Sequence, residues 1–288
     1  MRPRSARDPL WMMAPTAGLL AVFFFYPLLY AAGISLYSWD LLSEPRFVGL
    51  GNYAALIASG ELYNALWTTL VFSIVVVLGS MSLGLGLALA LNRPSAFAAW
   101  VRGAVFSAYV VSWVSVALLW LWVLDADAGV LTSALRALGL PTANWLGDPD
   151  VALYTLAGVT IWKIAGYAMV LFVAGLQDIP AQLYEAAALD GAGAWQRFVH
   201  VTWPLLRPTT AFVGTTSLIA SFQVFDVVRV MTQGGPVRST TVFVYAIYEQ
   251  VFMNLRVGRA SAEVVVFFVL LLVLTGLQLW AWRRKGAA

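Results

Sequence analysis

Apolar residues run along this chain in blocks far longer than a soluble core uses. Six stretches, 9–37, 64–91, 103–124, 151–176, 209–225 and 264–282, are almost free of charge. About 20 residues rising ~1.5 Å each cross the hydrocarbon of a bilayer, so each stretch predicts a membrane-spanning helix. The fourth carries one charge, Lys163, and the fifth is the shortest, ending at Asp226. The first is too long for the apolar region of a secretory leader and no small-residue cleavage site clearly closes it, so it reads as a retained span. Between the fourth and fifth lies 179–208, IPAQLYEAAALDGAGAWQRFVHVTWPLLRP, which holds charges, the one His (His200) and three prolines.

Composition agrees with a chain solvated by lipid: of 288 residues, 61% are hydrophobic and 11% charged. The fold class this implies is an all-α membrane protein with six transmembrane helices. The absence of cysteine excludes disulfides and thiolate metal sites. The basic residues are thinly spread, which speaks against nucleic acid. Their placement has a membrane explanation. Arg2, Arg4 and Arg7, Arg93 and Arg102, Arg197 and Arg207, and Arg283, Arg284 and Lys285 fall on one side of a six-span chain. The opposite loops hold half as many, Arg46, Arg136, Arg238, Arg256 and Arg259, and are rich in Asp and Glu. The positive-inside bias places both termini and 179–208 in the cytoplasm.

Locally, 179–208 reads as a short helix, a turn and a second helix. Pro180 suits a first helical turn, where its missing N–H costs nothing, and 181–189 are good helix formers. Gly191 follows Asp190 where a left-handed residue ends a helix. The second run, 194–201, leads to Pro204 and Pro208, which break the chain before the fifth span. Ala186, Ala187 and Ala188 leave the first helix a face small enough for close approach of another backbone. From local physics alone, two readings stand: an ordinary loop on the membrane surface, or a helix that inserts into a groove on a partner.

The sequence Leu183-Tyr184-Glu185-Ala186-Ala187-Ala188-Leu189-Asp190-Gly191-Ala192, followed by Val201 and Pro204, resembles the EAA loop of ATP-binding-cassette importer permeases. The family pattern has Ile at Val201 and Leu at Trp203, and both departures keep an apolar residue. The extended form is similar to the carbohydrate-uptake branch, relatives of the maltose permease. Two phrases agree: Phe47-Val48-Gly49-Leu50-Gly51-Asn52-Tyr53 before the second span, and Phe222-Gln223-Val224-Phe225-Asp226 with Thr232-Gln233-Gly234-Gly235-Pro236 after the fifth.

The resemblance implies the type I permease fold, with 1–37 as N-terminus and first helix and 38–288 as a five-helix permease core. It implies that Glu185, Ala186, Ala187, Asp190 and Gly191 belong to a cytoplasmic coupling helix docking into a separate ATPase. It implies a second homologous permease subunit, two ATPase subunits that carry the ATP and Mg, and an extracytoplasmic binding protein that docks at Gly234, Gly235 and Pro236. The location is then the bacterial inner membrane. The chain itself lacks a P-loop, since neither Lys163 nor Lys285 lies in G-x-x-x-x-G-K-[ST]. No nucleophile, acid/base or metal constellation appears, so the expectation is a pathway subunit with no enzymatic activity and no cofactor of its own.

Polar groups inside spans mark a bundle interior or cavity. Lys163 lies about 18 Å along its helix from Val151, near the midplane, and Thr160 and Tyr167 share its face. Counting from the quoted motifs, the resemblance places Thr160, Trp162, Lys163 and Tyr167, with Ser217, Ser221 and Val224 of the fifth span, along the substrate pathway. Trp162 and Phe222 could supply sugar-stacking faces. The bland alternatives stay open at this point: helix packing for Thr160, Ser217 and Ser221, and a structural pairing of Lys163 with a carboxylate or carbonyl of a partner subunit. The expected solute is a sugar or sugar-like molecule; glycerol-3-phosphate or a glycerophosphodiester fits the same motifs. A reading of another class, an ion-coupled secondary transporter, needs an intramembrane carboxylate, and none lies inside the six stretches.

Overall fold

In hydrocarbon every backbone N–H and C=O must be satisfied within the protein, so apolar runs of this length have to become helices. The computed structural model describes residues 8–286, and side chains from Met13 to Leu277. Arg2, Arg4 and Arg7, and the side chains of Arg283, Arg284 and Lys285, lie outside the described residues. The first run is α1 (Asp8–Leu20), a π turn (Ala21–Phe25) and α2 (Tyr26–Ile34). A short antiparallel hairpin follows, β1 (Tyr37–Ser38) and β2 (Arg46–Phe47), with Tyr37 opposite Phe47. Then come α3 (Gly51–Ala58), α4 (Glu61–Leu91), α5 (Ala96–Val110), α6 (Trp113–Val123) and α7 (Val130–Ala137). The fourth span is α8 (Ala152–Gln177) and the loop helix is α9 (Ala181–Leu189). Beyond it, α10 (Ala194–Arg197), a π turn (Phe198–Thr202) and α11 (Trp203–Leu205) lead into α12 (Arg207–Phe222). The chain ends in α13 (Asp226–Met231), α14 (Phe243–Tyr248), a third π turn (Glu249–Met253) and α15 (Val257–Gly286).

Five of these runs are long and apolar enough to cross a membrane, and six if α5 and α6 count as one. That pair corrects the expected straight third span over 103–124. It is broken at Val111–Ser112 and its halves meet at 101°. The sixth span also begins earlier than 264. It starts at Val257 and carries Glu263, buried to 2% exposure, so a buried carboxylate does lie inside a span.

Proline was expected to break the chain at Pro204, and it does not. A proline lacks the N–H for its own helical bond and its ring crowds the carbonyl four residues back. Here the π turn moves the preceding bond out by one residue, so that the N–H of Trp203 reaches the carbonyl of Phe198 and the helix runs on through Pro204. Pro27 follows the first π turn in the same way, with Tyr26 bonded to the Ala21 carbonyl. Pro208 sits in the first turn of α12, where no N–H is missed. Pro180 caps α9 from outside, at φ −58° and ψ 130°, rather than occupying its first turn.

Contacts divide the chain into two compact units, 64–245 and a second made of 1–63 with 246–288. In the second unit, Asn52 Nδ2 donates to the carbonyls of Ser35 and Tyr37 at 2.8 and 2.9 Å, and Tyr53 donates its hydroxyl to Ser35 Oγ at 2.8 Å. These bonds explain the polar end of the Phe47–Tyr53 phrase. In the hairpin loop, Asp40 accepts the N–H and hydroxyl of Ser43 and the N–H of Leu42, which hold its carboxyl down at about 2.

In the first unit α8 is the hub. Of its most apolar stretch 67% is buried, against 0% for 13–34, so α8 packs on protein where the first span offers its surface to lipid or to another chain. Gly166 lets α5 approach closely: a Cβ there would stand 2.5 Å from the Val105 carbonyl oxygen. Met169, Phe172 and Leu176 of α8 form a buried cluster with Ala88, Leu206 and Val213, and Tyr184 and Val201 pack against it.

Candidate solute cleft and coupling loop

A helix ends with carbonyls that have no partner further along the chain, and α5 ends abruptly at Val110 with the next residue extended. Lys163, 1% exposed on α8, meets those carbonyls. Its Nζ donates to the carbonyl oxygens of Ala108 and Tyr109, each at 3.1 Å, and to that of Val111. An ammonium has three N–H donors and no acceptor, so three carbonyls satisfy it. The C-terminal end of a helix also favours a cation. The first residue after the turn, Trp113, places its ring centroid 4.7 Å from Nζ. Lys163 is thus satisfied within its own chain, by backbone carbonyls.

One of the three residues so held, Tyr109, stacks its ring on Tyr167 at 4.8 Å and 18°. The two rings form a wall of a cleft of ≈ 280 Å³ between α5, α8 and α12, completed by Ile164, Thr216, Ser217, Ile219, Ala220 and Gln223. No lining side chain is charged. Gln223 also borders a neighbouring cleft of ≈ 230 Å³ with Trp113, Val224 and Asp226.

The expected pathway residues therefore divide. Tyr167 and Ser217 line the first cleft and Val224 the second. Thr160, 1% exposed, donates to the Leu156 carbonyl, and Ser221, fully buried, to that of Leu218. Trp162 meets Trp120 edge-on at 5.6 Å, and Phe222 is buried; neither lines either of these two clefts. Sequence reading missed Tyr109, Thr216 and Gln223. Gln223 stands in the quoted Phe222–Asp226 phrase, where a lone amide at the end of an apolar run is the signal that would have found it.

The loop helix α9 projects Glu185 and Ala186 outward, with Leu189 90% exposed at its end. Asp190 caps the helix and Gly191 turns the chain at φ +77°. Ala187 is half-buried, and the Tyr184 hydroxyl meets Thr202 Oγ1 at 2.9 Å, tying α9 to the returning helix. In the loop after α13, Gly234 is buried at φ +79°, and its carbonyl accepts from Thr241 Oγ1 at 3.1 Å. The Gly235 carbonyl accepts from Thr240 Oγ1 at 2.6 Å, and Pro236 is half-buried. Gln233, Val237 and Arg238 face outward there, Val237 88% exposed.

A six-span chain with a broken third span and a braced loop helix now meets its relatives. The family described as binding-protein-dependent transport system inner membrane component matches residues 80–286. This chain belongs to that family. The permease is 34% identical over 272 residues to the sn-glycerol-3-phosphate transport system permease protein UgpA of Agrobacterium fabrum, covering 94% of this chain and 92% of the relative. It is 32% identical over 276 residues to the sulfoquinovosyl glycerol transport system permease protein SmoG of the same organism, covering 95% and 90%. Among solved structures, a bacterial alginate ABC transporter in complex with an alginate pentasaccharide-bound periplasmic protein aligns with a TM-score of 0.84 at 25% identity. That match covers 97% of this chain and 96% of the other. The permease is accordingly a membrane subunit of an ABC importer, with the type I fold. The secondary-transporter reading falls with that membership, even though Glu263 supplies the carboxylate it lacked.

Proposed function

We propose that this permease forms half of an import pathway for a sugar or sugar-like polyhydroxy solute, and that α9 couples it to a separate ATPase. The lining of the first cleft carries this reading: two stacked tyrosines beside hydroxyl and amide groups, with no charged side chain. Aromatic faces suit the C–H face of a sugar ring, and hydroxyls and an amide exchange hydrogen bonds with its hydroxyls. Coupling is supported by the form of α9, whose exposed small and apolar residues suit a groove on a partner, while the Tyr184–Thr202 bond and the buried cluster join it to α8 and α12. Nucleotide-driven closure of an ATPase would then bias the spans between two states. Both termini and α9 face the cytoplasm of an inner-membrane protein, as the basic residues indicate. ATP and Mg belong to the two ATPase subunits. A second permease completes the pathway, and a binding protein docks where Gly234, Gly235 and Pro236 shape the loop that exposes Val237.

A second reading, import of glycerol-3-phosphate, is favoured by the likeness to UgpA. Against it stands Lys163, whose three donors are taken by carbonyls. The test is ATP hydrolysis by the lipid-reconstituted complex with its binding protein and a panel of neutral sugars, polyols and sn-glycerol-3-phosphate. Stimulation by a neutral member, weakened by Glu185→Ala, is the expected result. Stimulation by glycerol-3-phosphate alone would select the second reading.

A further inference from the structure

The solute cleft owes one wall to a residue that does not line it. Tyr109 closes the last turn of α5, where the chain leaves the helix and bends through 101°. An end of this kind, with carbonyls unbonded by its own helix, has no internal reason to hold one position. Three features fix it. Gly166 brings the α5 backbone against α8, Lys163 collects three of its carbonyls, and the Tyr109 ring lies flat on Tyr167. Two of the three act on Tyr109 itself, one through its carbonyl and one through its ring.

We propose that Lys163 is a positioning residue for transport: its ammonium pins the broken end of α5 so that Tyr109 stacks on Tyr167 and sets the wall of the solute cleft. The proposal rests on the reading of that cleft as the solute's path. It gives Lys163, buried between α5 and α8, a role in solute recognition without contact with solute. Removing the ammonium leaves the carbonyls of Ala108, Tyr109 and Val111 without their donor, and the end of α5 moves to find other partners.

The chain has no native cysteine, so the wall can be read directly. Tyr109→Cys with Tyr167→Cys is expected to form a disulfide under mild oxidation in membranes of the assembled complex, and its yield reports their proximity. Adding Lys163→Met is expected to lower that yield about fivefold, and Lys163→Gln, which keeps two donors, to lower it less. Separately, with both tyrosines intact, Lys163→Met should raise the KM for stimulated ATP hydrolysis on the order of tenfold while the maximal rate stays within about twofold, as expected of a misplaced recognition surface. Where Lys163→Met does not assemble, Lys163→Gln carries both measurements. An unchanged disulfide yield overturns the proposal. An unchanged yield with a KM raised only for an anionic solute assigns Lys163 to that solute instead. The disulfide reads the brace with no solute present, so failure of the brace and failure of the solute assignment give different results.

Discussion

The break between α5 and α6 turns the chain through 101°, whereas the interruption at Gln223–Phe225, between α12 and α13, leaves Arg207–Met231 a single candidate span. The two are held by different means. At the second, local bonds take part: Gln223 N–H reaches the Ile219 carbonyl, Ser221 Oγ donates to that of Leu218, and Arg229 N–H reaches the carbonyl of Phe225. At the first, the donor comes from Lys163, 52 to 55 residues away in sequence. A shallow interruption keeps enough helical geometry to use its own neighbours. A sharp one strands several carbonyls at once, and in a membrane no water replaces the lost donor. The depth of the bend therefore dictates a foreign cap.

The strongest way to break this contrast is Gly166→Val. The new Cβ would stand 2.5 Å from the Val105 carbonyl oxygen and 3.0 Å from Phe106 Cα, driving α5 away from Lys163. We expect a loss of about 3 kcal/mol, seen as little assembled complex by size-exclusion chromatography and an early thermal transition in what remains. Trp113→Leu removes the aromatic face beside Nζ and should cost about 1 kcal/mol, read as a small drop in the complex's melting temperature. Ser221→Ala takes one local bond from the second interruption. Its expected cost is about 0.5 kcal/mol, with solute-stimulated ATP hydrolysis retained. A larger effect for Ser221→Ala than for Trp113→Leu would reverse the ranking of the two sites.

Much of this was legible in the chain. Uncharged runs located the first, second and fourth spans to within a few residues, while the third, fifth and sixth extend past charges at one end, and Gly191 after Asp190 marked the end of α9. The break at Val111–Ser112 was hidden, because neither Pro nor Gly announces it and its cap lies on another helix. Hidden with it were Tyr109 and the engagement of Lys163, which as a lone intramembrane cation read equally well as a ligand contact or a structural pair. Pro204 misled for the converse reason: the local rule for proline is sound, but a π turn sidesteps it. Glu263 was missed because the last span begins at Val257, before the charges rather than after them.

Leu189 has a consequence for the life of the chain before assembly. Ninety per cent of it is exposed at the tip of a helix whose outward side also carries Glu185, Ala186 and Ala188. If α9 docks on an ATPase as proposed, a permease that lacks this partner carries the helix, and Leu189 at its end, uncovered to water.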